Sequence, residues 1–373
     1  MAELFKNIYT PTFFKRFSLC VKEVFPEFNT TPFLKDIYND EWDAKELKQR
    51  MRHITHVLKN HLTDDFETNV ELLLNSIPVL KQNELKPTSL EFIFFPDFIE
   101  VYGINNYDIS IRAFETITKL ESCEFAVRPF IIKYTEKMMQ QMLHWSQHEH
   151  PKVRRLASEG CRPRLPWAMA LPELKKDPTP ILPILENLKE DVSESVRRSV
   201  ANNLNDISKD NPGLVIQLAK KWKGKSKELD WVVKHACRTL LKQGIPDVMR
   251  LFGFGKADKV KIQKFKILTP IVSIGEGLEF SFILKNTDRK NIKIRLEYGL
   301  YYQKANGSLS RKVFKISEKE YERDSSTEII RKQPFKIITT RKLHTGLHQL
   351  SLIINGVELD KLDFQLIKKA ESH

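Results

Sequence analysis

Along the first two thirds of the chain apolar residues recur at helical spacing, and along the last third they alternate with polar ones. Residues 1–30 carry Phe5, Ile8, Tyr9, Phe13, Phe14, Phe17, Val21, Val24 and Phe25, an aromatic helical stripe interrupted at Pro11 and Pro26. Such a stripe forms core, or a cap over the helices that follow. Glu41 to Leu62 predicts one long helix with Leu47, Met51, Ile54, Val57 and Leu58 on its apolar face. Further helices are expected around 66–82 and 87–101. Another is expected over Tyr107–Ser122, where Ile109, Ile111, Phe114, Ile117 and Leu120 are apolar and Arg112 lies off that face.

A repeat follows. VRRLASEG (153–160), VRRSVANNL (196–204) and VVKHACRTL (232–240) each place a β-branched residue before basic ones, then small and apolar residues. The offsets Val153 to Val196 and Val196 to Val232 are 43 and 36 residues, the variable period of two-helix HEAT-type solenoid units. Stacked units leave a curved face lined by their second helices. The basic pairs Arg154-Arg155, Arg197-Arg198 and Lys234-His235 are therefore expected to form a row along one concave surface, matched to phosphates.

At Gly253-Phe254-Gly255-Lys256 the period changes. Seven strands are expected beyond it, over 261–268, 277–286, 292–303, 311–317, 328–337, 347–355 and 357–367. Asn306-Gly307 and Asn355-Gly356 are the dipeptides of tight hairpins, in which both positions need positive φ. The expected architecture is an all-α HEAT-like solenoid over 1–252, a linker over 253–259 and a small all-β immunoglobulin-like sandwich over 260–373.

Charge sharpens this picture. Residues 1–125 sum to −6, residues 126–256 to +10 and residues 257–373 to +9, giving +13 in all. An acidic first third followed by a basic remainder is the electrostatic footprint of a nucleic-acid-binding protein. Cys20, Cys123, Cys161 and Cys237 are far apart and fit no metal spacing, as expected of reduced cytosolic thiols. The start lacks a signal-peptide pattern, and no run approaches the ~18 apolar residues of a membrane span. His144 and His148 lie at i and i+4, but no third ligand or companion acid accompanies them, so neither metal nor cofactor is expected.

The richest stretch is HPKVRRLASEGCRPRLPW, residues 150–167. Pro151 suits a first helical turn, and Gly160 is of the type that commonly closes a helix. Arg162-Pro163-Arg164-Leu165-Pro166-Trp167 then forms a stiff cationic connector, because two prolines fix φ and disfavour helix before them. Glu159, the surrounding arginines and Trp167 fit an anionic-polymer site with chemistry in it; an ordinary helix turn with a solvated basic face fits the composition equally.

SCEFAVRPF (122–130), SEGCRPRLPW (158–167) and VRRSVANNLNDISKDNP (196–212) together resemble bacterial AlkC-type DNA glycosylases, relatives of AlkD that excise alkylated bases on a HEAT-like scaffold. The resemblance covers nearly the whole chain, including the C-terminal Ig-like domain found in one subset. HEAT repeats in general do not carry Glu-Phe-Ala-x-Arg-Pro-Phe or Glu-Gly-x-Arg-Pro-Arg-Leu-Pro-Trp. The resemblance implies hydrolysis of the N-glycosidic bond of cationic bases in duplex DNA, chiefly 3-methyladenine and by extension 1-methyladenine and 3-methylcytosine. It implies a monomeric bacterial cytoplasmic protein, associated with the nucleoid when on DNA.

Glu124 and Glu159 match the motif carboxylates, which places them at the oxocarbenium-like sugar and its attacking water. Trp167 is assigned to the deoxyribose or damaged nucleotide, and Asp206 to support of the same site. Arg154, Arg155, Arg162, Arg164, Arg197, Arg198, Lys234 and His235 are assigned to phosphates. The alternative is a non-catalytic HEAT scaffold that binds bent or branched DNA or a protein. Glu124, Glu159 and Trp167 sharing one concave face separates the glycosylase from it; burial of either glutamate in a salt bridge favours the scaffold.

Overall fold

The computed structural model describes residues 5–86, 88–337 and 342–368; the outermost residues of the two expected domains, 1–4 and 369–373, lie outside it. One compact unit comprises residues up to 215 together with 222–236, and a second comprises 216–221 with 237 onward.

Among the described residues sixteen α-helices precede the strands. They are α1 Pro11–Val24, α2 Thr30–Ile37, α3 Leu47–Asn60, α4 Phe66–Gln82, α5 Phe94–Tyr102, α6 Tyr107–Ile117, α7 Val127–Lys133 and α8 Thr135–Trp145. There follow α9 Pro151–Gly160, α10 Pro172–Lys176, α11 Leu182–Leu188, α12 Glu194–Ile207, α13 Pro212–Trp222, α14 Lys227–Ala236, α15 Arg238–Lys242 and α16 Pro246–Leu251. None is long and apolar enough to cross a membrane.

Most of the amino-terminal aromatic stripe is core, with Tyr9, Phe13, Phe14, Phe17 and Val21 buried, while Phe5 is exposed and Phe25 half-buried; Phe14 and Phe17 meet Phe33, Phe92, Phe94 and Phe95 mostly edge-on, the geometry their ring quadrupoles favour. Pro11 starts α1 rather than breaking a helix, at the first position after the Thr10 cap. The long helix expected from Glu41 begins only at Leu47. Lys45 and Glu46 are extended, and a reciprocal cap fixes the start, with Gln49 accepting from the Glu46 amide at 2.8 Å.

The repeat forms as its spacing implies. Helices α9, α12 and α14 pack side by side, with α8 and α11 behind α9. Val153, Val196 and Val232 are fully buried, the first two as third residues of α9 and α12 and Val232 one turn further along, as the sixth of α14. Gly160 is the last residue of α9 but not in the left-handed role expected of a closing glycine. Its job is close packing: a Cβ there would meet Val127 Cγ2 of α7 at 2.8 Å.

The second unit carries a sandwich of two sheets, ordered β1-β3-β6 and β2-β8-β7-β4-β5, where β1 is Val260–Ile267, β2 Ile271–Ser273, β3 Gly277–Asn286 and β4 Ile292–Gln303. The remaining strands are β5 Leu309–Tyr321, β6 Ser326–Pro334, β7 Gly346–Ile354 and β8 Val357–Ile367. All pairs are antiparallel except β2 with β8. Alternate residues Leu278, Phe280, Phe282 and Leu284 of β3 face Ile294, Leu296, Tyr298 and Leu300 of β4 across one core. Both Asn-Gly pairs close hairpins; Asn355 and Gly356 are both at positive φ, 48° and 84°, whereas in Asn306-Gly307 only the glycine is, at 79°. Strand β2 was not expected, since three residues carry no readable alternation.

Candidate active site

Helix α9 ends in a helix-spaced set of charges. Arg155 and Glu159 lie at i,i+4, and Arg162 follows Glu159 at i+3 across the helix end, so the three side chains meet. Arg155 Nη1 donates to Glu124 Oε2 at 2.6 Å, and its Nη2 lies 3.8 Å from Glu159 Oε1. Arg162 donates to Glu159 Oε1 from Nη1 at 2.6 Å and to Asp206 Oδ2 from Nε at 2.9 Å. The three carboxylates expected from sequence thus fall into one chain, Glu124–Arg155–Glu159–Arg162–Asp206.

Helix α12 supplies the rest of Glu159's surroundings. Its Ser199 hydroxyl donates to Glu159 Oε2 at 2.6 Å and accepts from Ser158 Oγ at 2.6 Å. Glu159 is buried, yet with Arg155, Arg198, Ser199 and Asn202 it lines a cavity of about 510 Å³. Burial works to lower Arg155, but Glu124 and then Glu159 outweigh it and hold the guanidinium charged. Next to the chain, burial raises the Glu121 carboxyl from 4.5 to about 7.

The basic pairs divide their labour, and the row expected of the three pairs does not form as drawn. Arg154 holds Asp191 through two bonds, at 2.6 and 3.0 Å, and donates to the carbonyls of His148 and Glu149 in the preceding turn. Arg197 does the same one repeat on, donating to the carbonyls of Asp191 and Val192. The first arginine of each pair is therefore a turn clamp. The second, Arg155 or Arg198, lines the cavity. In the third repeat Lys234 is exposed, while His235 bonds the cavity residue Asn202 at 3.0 Å and stacks on Trp231. Arg162 is buried between two carboxylates, which removes it from phosphate contact. Arg164 is on the surface, paired with Asp210.

Trp167 is 78% exposed and has no contact with the acid chain among those described. It stands at φ +65°, a region an indole side chain rarely occupies, on the loop that leaves α9. Lys48 of α3 donates to its carbonyl and lies over the ring of exposed Phe125. Arg128 is fully buried and does not pair with Glu124. Its Nη1 donates to the carbonyls of Gly160 and Arg162, each at 2.9 Å, and its Nε to that of Met169 at 2.6 Å. Burial lowers Arg128 to about 10, still well above neutrality.

Comparison with known proteins places this arrangement. The chain is 43% identical over 366 residues to YhaZ of Bacillus subtilis strain 168, covering 98% of this chain and all of that one. Residues 261–368 match the family described as "Uncharacterised protein YhaZ, C-terminal Ig-like domain". The solved alkylpurine DNA glycosylase AlkC of Pseudomonas fluorescens, bound to DNA containing an abasic site analog, superposes with TM-score 0.90 at 32% identity. That match covers 98% of this chain and all of AlkC. The chain belongs to the AlkC family.

Within this AlkC-family chain, several groups at the site carried no sequence signal of their own. Ser199 and Asn202 were hidden behind the Arg197-Arg198 pair that precedes them. Lys48 lies 119 residues from the carbonyl it meets. Arg128 stood inside the EFAVRPF motif, where nothing marks the carbonyls of Gly160, Arg162 and Met169 as its partners.

Proposed function

We propose that the protein is a DNA glycosylase that hydrolyses the N-glycosidic bond of cationic alkylated bases in duplex DNA, 3-methyladenine first among them. A base methylated on a ring nitrogen carries a positive charge and leaves as a neutral molecule, so little acid assistance is needed. The charge that grows in the transition state sits on the deoxyribose. Fixed carboxylates in a partly dry site stabilise such a cation without reorganising, and a second acid can orient the attacking water.

One observation carries the reading. A single guanidinium, Arg155, bonds Glu124 at 2.6 Å and lies 3.8 Å from Glu159, and Arg155 and Glu159 line an open cavity. Glu159, against the cavity, is assigned to the oxocarbenium; Glu124, partly exposed, to the water; Asp206 supports Glu159 through Arg162. Trp167 is assigned to the nucleotide by dispersion and by its attraction for positive charge. Arg155, Arg198, Lys234, His235 and Arg164 remain assigned to phosphates. The solved AlkC structure bound to DNA containing an abasic site analog supports a DNA partner. The protein is read as a cytoplasmic monomer, and the chemistry calls for no cofactor.

A second reading, a DNA-binding scaffold without catalysis, is favoured by the ion pair that Glu159 makes with buried Arg162. Against it stands the place of Glu159: although paired with Arg162, it still lines the cavity, where its carboxylate can face a cation forming on a bound sugar. Release of methylated bases from methylated duplex DNA separates the two, with wild type and Glu159→Gln side by side. Release by wild type, with a loss of about 10²–10³-fold in the variant at unchanged DNA affinity, is the expected result. A folded, DNA-binding wild type that releases nothing leaves the scaffold.

A further inference from the structure

Trp167 is the most exposed of the aromatic residues assigned to the site and the most strained. An exposed side chain at positive φ contributes little packing to hold itself there, so something else must hold its loop. Within the loop, two backbone bonds close its turns: Ala168 N–H to the Leu165 carbonyl and Leu171 N–H to the Pro163 carbonyl. Neither ties the loop to the helices below.

Arg128 does. Its three bonds run to carbonyls on both sides of Trp167, with Gly160 and Arg162 before it and Met169 after it. Gly160 and Arg162 also flank the helix end that carries Glu159 and its partner. Helix α7 therefore pins, through one side chain, both the exit of α9 and the return of the loop. The fixed planar fork of a guanidinium suits this role, since it spans divergent acceptors in one plane, which a single ammonium point cannot. The third nitrogen, Nη2, is buried and has no hydrogen-bond partner among the described residues. A buried donor left unmade is costly, and here that cost accompanies three well-made bonds to one loop.

We propose that Arg128 is a positioning residue for excision: it sets the place of Trp167 relative to Glu159, and it acts through the loop rather than on the substrate. The proposal rests on the glycosylase reading, and two readouts separate its failure from that of the reading. The first is single-turnover release of 3-methyladenine from duplex DNA by full-length wild type, Arg128→Lys, Trp167→Ala and the double variant. A misplacement of about 1 Å costs on the order of 10²-fold in rate. Arg128→Lys is expected to lose about that factor in the wild-type background and less than about 3-fold in the Trp167→Ala background, because the two act as one unit. Equal losses in both backgrounds, as a general weakening of the fold would give, overturn the proposal.

The second readout needs no activity. Trypsin cuts after Arg164, which is exposed within this loop, while Pro163 protects the bond after Arg162. Arg128→Lys is expected to speed the Arg164–Leu165 cut by about tenfold or more through local opening; an unchanged rate overturns the anchoring. Should the variant lose its cooperative melt, hydrogen exchange of the wild type decides. Slow exchange of the Ala168 and Leu171 amides, at the rate of α9, supports the anchor, and exchange at free-loop rates overturns it. If wild type releases no base, the glycosylase reading fails and the trypsin result alone judges Arg128.

Discussion

Replacing Glu121 with Gln changes the electrostatics beside the acid chain without touching a member of it. Burial is the main force that raises this carboxyl from 4.5 to about 7, and Glu124 pushes the same way; the Ser122 amide, Lys152 and Arg155 pull it back. Below pH 4.5 the group is protonated in both folded and unfolded chains, and its burial as a neutral acid costs nothing extra. As pH rises from 4.5 to about 7 the unfolded chain releases the proton while the folded one keeps it, so stability falls. Above about 7 both are ionised and the loss is complete. The full displacement corresponds to about 3.4 kcal/mol, at about 1.36 kcal/mol per tenfold change in proton affinity. Partial exposure to solvent reduces this to about 1–2 kcal/mol. Gln keeps the shape and does not titrate. Glu121→Gln is therefore expected to melt about 3–6 °C above wild type at pH 8, and within about 1 °C of it at pH 4.5. Thermal melts followed by circular dichroism at both pH values measure this. A variant that melts with or below wild type at pH 8, or that gains equally at both, refutes the buried-carboxyl reasoning.

Other consequences follow from the same contacts. Arg154→Ala strands the nearly buried Asp191 carboxylate and is expected to cost about 3 kcal/mol in urea unfolding. By contrast Arg198→Ala, whose partner Glu194 is on the surface, is expected to change stability by less than about 0.5 kcal/mol while flattening the salt dependence of DNA affinity by about one charge. Trp167→Gly relieves about 1–2 kcal/mol of left-handed strain and adds about 0.5–1 kcal/mol of chain entropy cost. Its melting temperature is therefore expected to stay within about 2 °C of wild type while base release falls; a large drop in stability instead assigns Trp167 to packing. Gly244→Ala places a Cβ 2.7 Å from the Gly356 carbonyl oxygen at φ +71°, and calorimetry is expected to register a loss of about 2 kcal/mol or more.

Most of the architecture was legible because it is written in periods. Strands β4 and β8 begin and end where the alternation does, and the Asn-Gly pairs mark their turns. The three valines near a ~40-residue period located the stacked helices α9, α12 and α14. What was not legible was local competition and distant pairing. The start of α3 depends on which residue caps it, and Glu46 with Gln49 wins over the apolar pattern that continues upstream. At the site, Glu124 and Glu159 could be named because they match the carboxylates of the AlkC-type motifs, and Asp206 because it lies two helical turns beyond Arg198. That Arg155 rather than Arg128 meets Glu124 could not, since it depends on how the end of α9 lies against the 122–126 turn.

The doubled basic residues explain why a repeated sequence register overstates a charged surface. Successive residues on a helix are about 100° apart, so two adjacent arginines cannot both face one surface. In the two arginine pairs of this chain the first residue turns back to its own inter-helix turn, where Arg154 and Arg197 each bond the carbonyls five and six residues earlier. Those bonds satisfy acceptors at the turn that the helix itself cannot reach. Only the second residue of each pair is left for the concave side, and Arg155 is further committed to two carboxylates. The side of α9 and α12 toward the cavity is therefore less cationic than the sequence implies, with Glu159 and Glu194 lining it beside Arg155 and Arg198. That order suits a guest whose outside is a chain of phosphates and whose reacting centre becomes positive. A uniformly basic groove would hold the same backbone but would oppose the charge that forms when the base departs.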